Sequence, residues 1–341
     1  TVFSLVQPTG KLHLGNYLGA IRNWREICHT ESPSSKYIFG IADLHAITVP
    51  QNPQTLKQGR YDIIASIIAA GVDPEKCILY HQSSVAEHTE LAWILTCMTG
   101  MGYLNRMTQW KLKSQVGESG SIFDEDVLSK TKAGLFCYPV LQAADILLYK
   151  STHVPVGDDQ AQHLELTRHI ASTFNSQTKT KFFPVPKTLL TPTKKINSLR
   201  NPTKKMSKSD PDQNACIYIN ELAEVTRKKL RKAVTDSIQG TVTYDPENRP
   251  EVSNLVSIVS GLQGILIENA IKVLSGVENH KQLKEYVADL IEEEFKDTRK
   301  LYDELMADQG YLEEICNRGR DQAKEIACEN LKQVKKIMGL D

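Results

Sequence analysis

Residues 2–16 of the chain read VFSLVQPTGKLHLGN. The first five of these residues are typical of a buried strand, and the segment after Asn16 has the apolar spacing of a helix, so the sequence predicts a strand-to-helix turn. Gly10 and Gly15 permit backbone conformations and close approaches that a side chain would block. A helix that begins near Asn16 directs unpaired N–H groups and the positive end of its dipole toward an anion. The turn therefore predicts a phosphate-binding site, to which His13 and Asn16 add side-chain donors.

Strand-like and helix-like segments alternate over the first hundred residues. Alternation of this kind is typical of an α/β fold in which a parallel sheet carries helices on both faces. Ligands bind such sheets at the carboxyl ends of the strands, where the turn before Asn16 also lies. The predicted strands are Val2–Val6, Tyr37–Ala42 and Cys77–His81, and the predicted helices are Tyr17–Ile27, Leu56–Ala70 and Glu87–Met98.

The middle of the chain is less regular. Residues 105–131 are polar and contain two glycines, so we expect a long insertion there before a helix that begins near Val140. A further helix is expected to be capped by Asp158 or Asp159. Residues 175–203 are rich in proline, threonine and lysine and are the expected linker. One face of the helix after Asp159 is predicted to carry Leu166, Ile170 and Phe174.

Beyond about residue 220 the pattern becomes helical and predicts a C-terminal helical bundle. The apolar residues fall into two stripes at helical spacing. Gly339 is expected to end the last helix as a C-cap. The first stripe comprises Leu283, Val287, Leu290 and Leu305, and the second comprises Ala323, Ile326, Leu331, Val334 and Ile337.

The composition is that of an ordinary globular protein, with 341 residues, of which 40% are hydrophobic and 24% charged. A chain of this length is expected to divide into two domains. No apolar run approaches the roughly 20 residues that cross a bilayer, so we expect no membrane association. Lysine plus arginine equals aspartate plus glutamate at 41 each, so any contact with nucleic acid must use local basic patches. The seven cysteines lack CxxC spacing, which argues against a zinc ribbon and a disulfide framework.

A second motif, KMSKS, occupies residues 205–209, far along the chain from the first. It is flanked by Asn201-Pro202 and Asp210-Pro211, and its serines are small, so the loop is suited to move. A loop that closes only on a nucleotide reserves its lysine charges for the transition state. Taken alone, the same residues would be interpreted as a solvated lysine turn.

Together, residues 8–16 and 205–209 resemble the HIGH and KMSKS signatures of class I aminoacyl-tRNA synthetases, with Asn16 in the last HIGH position. The variant around Asn16 is similar to that of the tryptophan-specific members. The resemblance extends over essentially the whole chain. Its further segments are residues 43–48 (DLHAIT), 143–149 (AADILLY), 154–160 (VPVGDDQ) and 233–236 (AVTD).

The resemblance implies a Rossmann-like catalytic domain at residues 1–203, with a dimer-forming insertion at about residues 84–139. It also implies an all-α domain at residues 204–341 that begins with the KMSKS loop and meets the tRNA anticodon. The implied reaction converts L-tryptophan and ATP to tryptophanyl-AMP and pyrophosphate, and then transfers the acyl group to tRNA(Trp) for protein biosynthesis. Mg²⁺ accompanies ATP. We expect a symmetric homodimer with no tightly bound cofactor and no metal site of its own.

The resemblance also implies which residues meet the nucleotide. His13 and Asn16 would donate near the α-phosphate, and Lys205 and Lys208 would hold the leaving pyrophosphate. No side-chain nucleophile is needed, because catalysis of this step is mainly positioning and charge neutralisation. The other residues implied at the ATP site are Gln7, Thr9, Gly10, Gly15, Lys113, Gly157, Asp159, Met206, Ser207 and Ser209.

Tryptophan requires an apolar slot and one acceptor for the indole N–H. Asp145 is the candidate acceptor, because a carboxylate inside the apolar run 141–149 is costly unless it is hydrogen-bonded. The resemblance implies that His45 and Gln160 face the amino and carboxyl groups of the substrate. The remaining residues implied at the tryptophan site are Phe3, Gln7, Tyr138, Gln142, Val154 and Val156.

Two positions depart from the family pattern. Leu5 stands where bacterial relatives usually have glycine, and Gln142 replaces an apolar residue, often methionine. Other interpretations also remain open at the tryptophan site. Asp145 could be a capping or ion-paired carboxylate, and His45 a satisfied core histidine. Plain core positions are the alternative for Phe3, Val154 and Val156.

Two rival functions remain at this point. A tyrosyl-tRNA synthetase shares the fold and the chemistry, and a noncatalytic RNA-binding paralogue would be expected to lose the phosphate-site residues, which are all present. Residues 148–154 and 157–160 are similar to fungal mitochondrial members of the bacterial-type branch. This similarity implies the mitochondrial matrix, with the bacterial cytoplasm as the alternative.

Overall fold

The computed structural model describes residues 1–8, 10–29, 35–117, 119–157, 160–190, 195–208, 210–238 and 240–341, with only the backbone described at Val156 and Leu190. Within these residues, five strands form one parallel sheet of order β3-β2-β1-β4-β5. The α/β class predicted from the alternating segments is confirmed. The strands are β1 Val2–Val6, β2 Tyr37–Ile41, β3 Ile78–His81, β4 His153–Val156 and β5 Lys187–Leu190.

The strand order reverses at β1. Val2 pairs with Tyr37 of β2 on one side and with His153 of β4 on the other. The chain thus runs outward from β1 to β3 and returns to the other side of β1 for β4 and β5. In open parallel sheets this reversal creates a crevice at the carboxyl ends of the strands, and the glycine-containing turn after β1 opens into it.

Helices connect the strands and form most of the second half. The first helical segment after β1 comprises α1 Leu14–Asn16, a π-helical turn at Tyr17–Ile21 and α2 Arg22–His29. The remaining helices are α3 Asp43–Ala46, α4 Pro53–Ala69, α5 Glu87–Thr96, α6 Met101–Asn105, α7 Thr108–Lys113, α8 Glu125–Lys130, α9 Ala133–Leu148, α10 Ala161–Gln177, α11 Ala223–Arg231, α12 Pro250–Gln263, α13 Ile267–Val273, α14 His280–Ala307 and α15 Gln309–Met338.

Two predictions for the middle of the chain are wrong in part. The helix expected near Val140 begins at Ala133, because Pro139 is accommodated inside α9 although proline usually marks a helix boundary. The expected linker at residues 175–203 contains β5, whose residue Thr188 pairs with Val154 of β4. This edge strand is short and flanked by proline, so its sequence has the signals of a loop.

The core lies on both faces of the sheet. Alternate strand residues point to opposite faces, so Phe39 and Leu79 belong to one buried cluster and Ile38 and Tyr80 to the other. The first cluster contains the buried faces of α2, α4, α12 and α14. The second contains those of α5, α9, α10 and the later part of α15.

The C-terminal helices confirm the predicted stripes. Leu283 and Val287 are buried on α14, and Leu331 and Val334 are buried on α15. Gly339 ends α15 with φ of 72°, as predicted for a C-cap. Likewise, the predicted face of α10 is buried, with Leu166, Ile170 and Phe174 in the core.

Helix α15 covers the edge of the sheet that β3 forms. A Cβ atom at Gly319 would overlap the carbonyl oxygen of Leu79 in the edge strand β3, so α15 can approach this closely only with glycine at that position. A covered edge cannot pair with another chain. Helix α15 is therefore packed directly on the sheet.

Within the described part of the chain, no individual helix is long and apolar enough to cross a membrane. The segments Pro250–Gln263 and Ile267–Gly276 meet the test of length and composition only when taken together, and their axes are bent by 99° relative to each other.

Candidate active site

The turn after β1 is organised around His13. This residue precedes α1, and its Nδ1 accepts a hydrogen bond from the backbone N–H of Asn16 at 3.2 Å. A Cβ atom at position 15 would lie 3.1 Å from the imidazole ring of His13, so glycine at this position leaves room for the ring. Gly10 has φ of 81°, a left-handed conformation that favours glycine. The structure therefore explains why glycine occupies positions 10 and 15 of the turn.

The second motif packs on the first. Residues after the KMSKS loop pair with the turn, because Leu14 N–H donates to the carbonyl of Ile217 at 2.8 Å and Ile219 N–H donates to that of Leu12 at 3.1 Å. Met206 is buried, and its Cβ lies 3.7 Å from the position of a Cβ at Gly15. The two motifs thus share one site in the structure.

Lys208 reaches the first motif directly. Its Nζ donates to the carbonyl oxygen of Gly10 at 3.2 Å. Burial lowers the pKa of Lys208 to about 8, although the nearby Cys216 and Asp62 act in the opposite direction. The ammonium group is therefore largely charged at neutral pH and lies beside the turn that the sequence predicts to bind phosphate.

His13 is a neutral imidazole in this environment. Burial, followed by the charges of Lys208 and Lys205, lowers the pKa of His13 to about 3. Because Nδ1 accepts the N–H of Asn16, the single ring proton of the neutral form resides on Nε2. His13 can therefore donate one hydrogen bond from Nε2 to an anionic ligand.

Asp145 lies on α9 in a fully buried hydrogen-bond cluster. Its Oδ1 accepts from Gln82 Nε2 at 2.8 Å and from His88 Nδ1 at 2.7 Å. His45 Nε2 lies 2.8 Å from Oδ2. Burial alone would raise the pKa of the carboxyl group, but the hydrogen bonds from His45 and His88 lower it to about 2. Asp145 is therefore an anion with strong acceptor oxygens.

A second polar cluster adjoins Asp145 through Tyr138, whose ring lies edge-on to His45 at 5.9 Å between centroids. The Tyr138 hydroxyl donates to Gln109 at 2.8 Å. His163 Nδ1 lies 2.9 Å from Gln142 Oε1. Gln142 Nε2 in turn donates to Gln160 at 3.2 Å.

Lys113 links the residues implied at the ATP site to those implied at the tryptophan site. Its Nζ lies 4.8 Å from the centre of the Tyr138 ring, within the range of a cation–π contact. Burial lowers the pKa of Lys113. The lysine implied at the ATP site thus lies beside an aromatic residue implied at the tryptophan site.

The remaining predicted residues are placed as follows. Phe3 is buried on β1 and stacks on Tyr149 at 5.3 Å, and Val154 is buried on β4. Gln7 follows β1 and is half-buried. The carbonyl of Gly157 accepts from the N–H of Gln160 at 3.0 Å. Four positions lie outside the described residues, namely Thr9, Asp158, Asp159 and Ser209, as does the side chain of Val156.

Sequence reasoning missed four polar residues of these clusters, Gln82, His88, Gln109 and His163. Gln82 directly follows β3, so the rule that ligands collect at the carboxyl ends of strands could have identified it. His88 and His163 lie inside helices and carry no comparable local signal.

The chain is similar to known proteins in both sequence and structure. Residues 1–306 match the family of tRNA synthetases class I (W and Y). The chain is 51% identical over 344 residues to the mitochondrial tryptophan–tRNA ligase of Saccharomyces cerevisiae, covering 99% of this chain and 90% of that relative. The crystal structure of tryptophanyl-tRNA synthetase from Mycoplasma pneumoniae superposes with a TM-score of 0.86 at 31% identity, covering 100% and 97% of the two chains. That of the Campylobacter jejuni enzyme complexed with ADP and tryptophan has a TM-score of 0.77 at 33% identity and covers 99% of both chains.

Proposed function

Because the chain belongs to the class I tRNA synthetases of the tryptophan and tyrosine group, we propose that it is a tryptophan–tRNA ligase. It converts L-tryptophan and ATP to tryptophanyl-AMP and pyrophosphate, and a ribose hydroxyl of the terminal adenosine of tRNA(Trp) then takes the acyl group. The tryptophan specificity is supported by the identity to the yeast mitochondrial enzyme along the whole chain. The activation chemistry is supported by one observation above all, the contact of Lys208 with the turn at Gly10.

Activation brings two anions together. The tryptophan carboxylate attacks the α-phosphorus, a new P–O bond forms, and the bond to the bridging oxygen of the β-phosphate breaks to release pyrophosphate. His13 donates from Nε2 to an α-phosphoryl oxygen, with Asn16 beside it, and Lys205 and Lys208 neutralise the leaving group. Mg²⁺ enters with ATP and shares the charge of the phosphoryl oxygens. Neutral His13 suits this role, because it donates a hydrogen bond from Nε2 and does not change its protonation state near neutral pH.

Tryptophan is recognised through the Asp145 carboxylate, which accepts the indole N–H. The proposal is supported by the anionic state of Asp145 and by the aromatic and apolar side chains near it. The departure at Gln142 is compatible with this site, because its amide is hydrogen-bonded to His163 and Gln160 and so adds no unpaired polar group. Discrimination against other rings needs no editing domain when a buried acceptor would be left unpaired.

Beyond the reaction, we propose the division into a catalytic domain at residues 1–203 and a helical, anticodon-binding domain at residues 204–341. We also propose a symmetric homodimer formed through residues 84–139. Large apolar side chains in that segment, among them Trp93 and Phe123, are exposed on the protomer and suited to bury against a second copy.

For the location in the cell, we propose the mitochondrial matrix, supported by the similarity to a yeast mitochondrial enzyme. Similarity to bacterial enzymes keeps the bacterial cytoplasm as the alternative. Imaging of the full gene product in its source cells tests the proposal. Signal that coincides with mitochondria supports it, and diffuse signal contradicts it.

Amino-acid-dependent pyrophosphate exchange tests the proposed activity. We expect exchange with tryptophan and little with tyrosine. Preference for tyrosine would favour the tyrosine enzyme, and absence of exchange with either amino acid would favour the noncatalytic paralogue.

The lysine loop is tested by a double variant, Lys205→Ala with Lys208→Ala. We expect single-turnover adenylate formation to fall at least ~100-fold, while tryptophan affinity changes by less than ~3-fold, because the charges act mainly in the transition state. Lys296→Ala on the exposed face of α14 is the matched control. Equal losses of rate and affinity would contradict the assigned role.

A further inference from the structure

The buried residues behind Asp145 form a continuous chain of hydrogen bonds that the reaction itself does not use. We propose that His88, held by Tyr80 and Tyr149, is a positioning residue that fixes the Asp145 carboxylate for the indole N–H of tryptophan and so determines specificity. This inference rests on the proposed role of Asp145 as the indole acceptor.

The two phenols and the Asp145 carboxylate together determine where the His88 proton lies. His88 is fully buried, and its Nε2 lies 2.9 Å from the hydroxyl oxygens of both Tyr80 and Tyr149. Burial raises the pKa of each tyrosine, so both hydroxyl groups keep their protons and can donate. A phenol that donates to Nε2 requires the ring proton on Nδ1, the nitrogen that faces Asp145 at 2.7 Å. The tyrosines on one side and the carboxylate on the other thus favour the same tautomer, with the ring proton on the nitrogen that donates to Asp145.

The bonds to Asp145 leave its two oxygens unequal. Oδ1 accepts two hydrogen bonds, from His88 and Gln82, which matches its two lone pairs. Oδ2 accepts one, from His45, and keeps the capacity for another. The orientation of the Gln82 amide is fixed as well, because its Oε1 accepts from the N–H of Leu44 at 3.2 Å. Rotation of the carboxylate would break bonds to side chains of two different elements, so Oδ2 is the oxygen available to the indole.

Three elements, α5, α9 and β3, carry this cluster and make the arrangement rigid. Asp145 lies on α9, His88 on the first turn of the neighbouring α5, Tyr80 on β3 and Gln82 directly after it. The position of an acceptor that reads one N–H group must be held within a fraction of an ångström, and this requires support from rigid elements. His88 provides that support without touching the substrate.

The test compares tryptophan with L-3-(3-benzothienyl)alanine, in which a sulfur atom replaces the indole N–H. Equilibrium affinities of both ligands are measured for the wild-type protein, His88→Leu and His88→Asn. Asparagine and leucine have nearly the same size, but only asparagine can donate toward Asp145 from the position of Nδ1. We expect the preference for tryptophan to fall at least roughly tenfold in His88→Leu, the value of a hydrogen bond to a charged group, and to stay within about threefold of wild type in His88→Asn.

A purely structural role for His88 would weaken the binding of both ligands equally and leave their ratio unchanged in His88→Leu. That result would overturn the inference while the proposed role of Asp145 stands. A wild-type protein without preference for tryptophan over the sulfur analogue would overturn both.

A second variant covers the case in which His88→Leu does not fold. Tyr80→Phe combined with Tyr149→Phe keeps His88 but removes the donors to its Nε2. We expect a fall of roughly threefold or more in the same preference, because the His88 ring loses the hydrogen bonds to Nε2 that hold it in place against Asp145. An unchanged preference in this folded variant would contradict the proposal.

Discussion

At the residue scale, the candidate site depends on protonation states that the surroundings impose. His13 and Lys208 lie close to each other at the same turn. Burial lowers the pKa of both groups and so disfavours the charged form of each. The imidazole is neutral over the whole physiological range, whereas the ammonium group has a pKa of about 8 and titrates just above it. The two donors therefore respond differently to pH.

The pH dependence of ATP use follows from this difference. A lysine is charged below its pKa, so kcat/KM for ATP at saturating tryptophan should fall as the pH rises above about 8, with an apparent pKa near that of Lys208. His13, with a pKa of about 3, should contribute no acidic limb between pH 6 and 8. Lys208→Arg should be slower but lack the alkaline limb, because a guanidinium group stays charged. An alkaline limb that persists unchanged in Lys208→Arg would assign it to another group.

The residues of the site were predictable from the sequence only in part. The need of a buried Asp145 for hydrogen bonds follows from its apolar neighbours, and the structure provides three donors. The identity of those donors does not follow, since Gln82 and His88 come from a strand end and a helix far from Asp145 in sequence. His88 reaches Asp145 through the tertiary packing of α5 against α9, which carries no local signal, whereas the only sequence signal for Gln82 is its position directly after β3.

At the element scale, α4 packs against the predicted phosphate-binding turn. A Cβ atom at Gly59 would lie 2.7 Å from the carbonyl oxygen of Pro8 and 3.4 Å from the backbone nitrogen of Gly10. Backbone atoms cannot move aside as a flexible side chain can. Gly59 is therefore required in the middle of a helix, where glycine is otherwise unfavourable.

Substitution of this glycine should displace the turn. Gly59→Ala is expected to destabilise the protein by about 1 to 3 kcal/mol and to weaken ATP binding, because the added methyl group overlaps the backbone of the turn. Gly134→Ala on α9 is the matched control, since open space surrounds that position, and it should raise the free energy of unfolding by up to about 1 kcal/mol. Thermal unfolding and ATP titration of both variants check the prediction. Equal stabilisation by both substitutions would show that α4 does not hold the turn.

The elements with strong periodicity were predicted well and the others less so. The strands β1 to β3 and the helices α4 and α5 lie within a few residues of their predicted bounds. Helix α9 continues through Pro139 because it is packed on both sides, and β5 forms because β4 offers a free edge. In both cases tertiary contacts override the local signals of proline.

At the scale of the whole molecule, the C-terminal helices are bonded to elements of the candidate site. Tyr302 on α14 donates to Asp62 on α4 at 3.0 Å, and the charge of Asp62 raises the pKa of Lys208. Arg25 on α2 pairs with Glu294 on α14 at 3.1 Å. The α/β architecture was predictable from the alternation of segments. The packing of α15 on the sheet and of α14 on α4 was not, because amphipathic stripes show that a helix is buried but not which surface covers it.

The exposed apolar side chains predict the assembly of the molecule. Trp93 is 70% exposed and Phe123 is 74% exposed on the protomer. If they form the proposed homodimer interface, then Trp93→Glu with Phe123→Glu should convert a dimer to a monomer, because charged groups are excluded from an interface core. Leu266→Glu, at a position 73% exposed outside residues 84–139, is the control and should leave the dimer intact. Light scattering after size exclusion gives the masses, and a double variant that remains dimeric would contradict this interface.

The central claim is that the turn at residues 10–16 and the loop at residues 205–208 meet around one triphosphate. A crystal structure of the protein with ATP or a nonhydrolysable tryptophanyl-adenylate analogue tests it most directly. We expect His13 Nε2 and Lys208 Nζ within hydrogen-bond distance of phosphoryl oxygens of the same ligand. A nucleotide bound elsewhere, with His13 and Lys208 remote from it, would contradict the account.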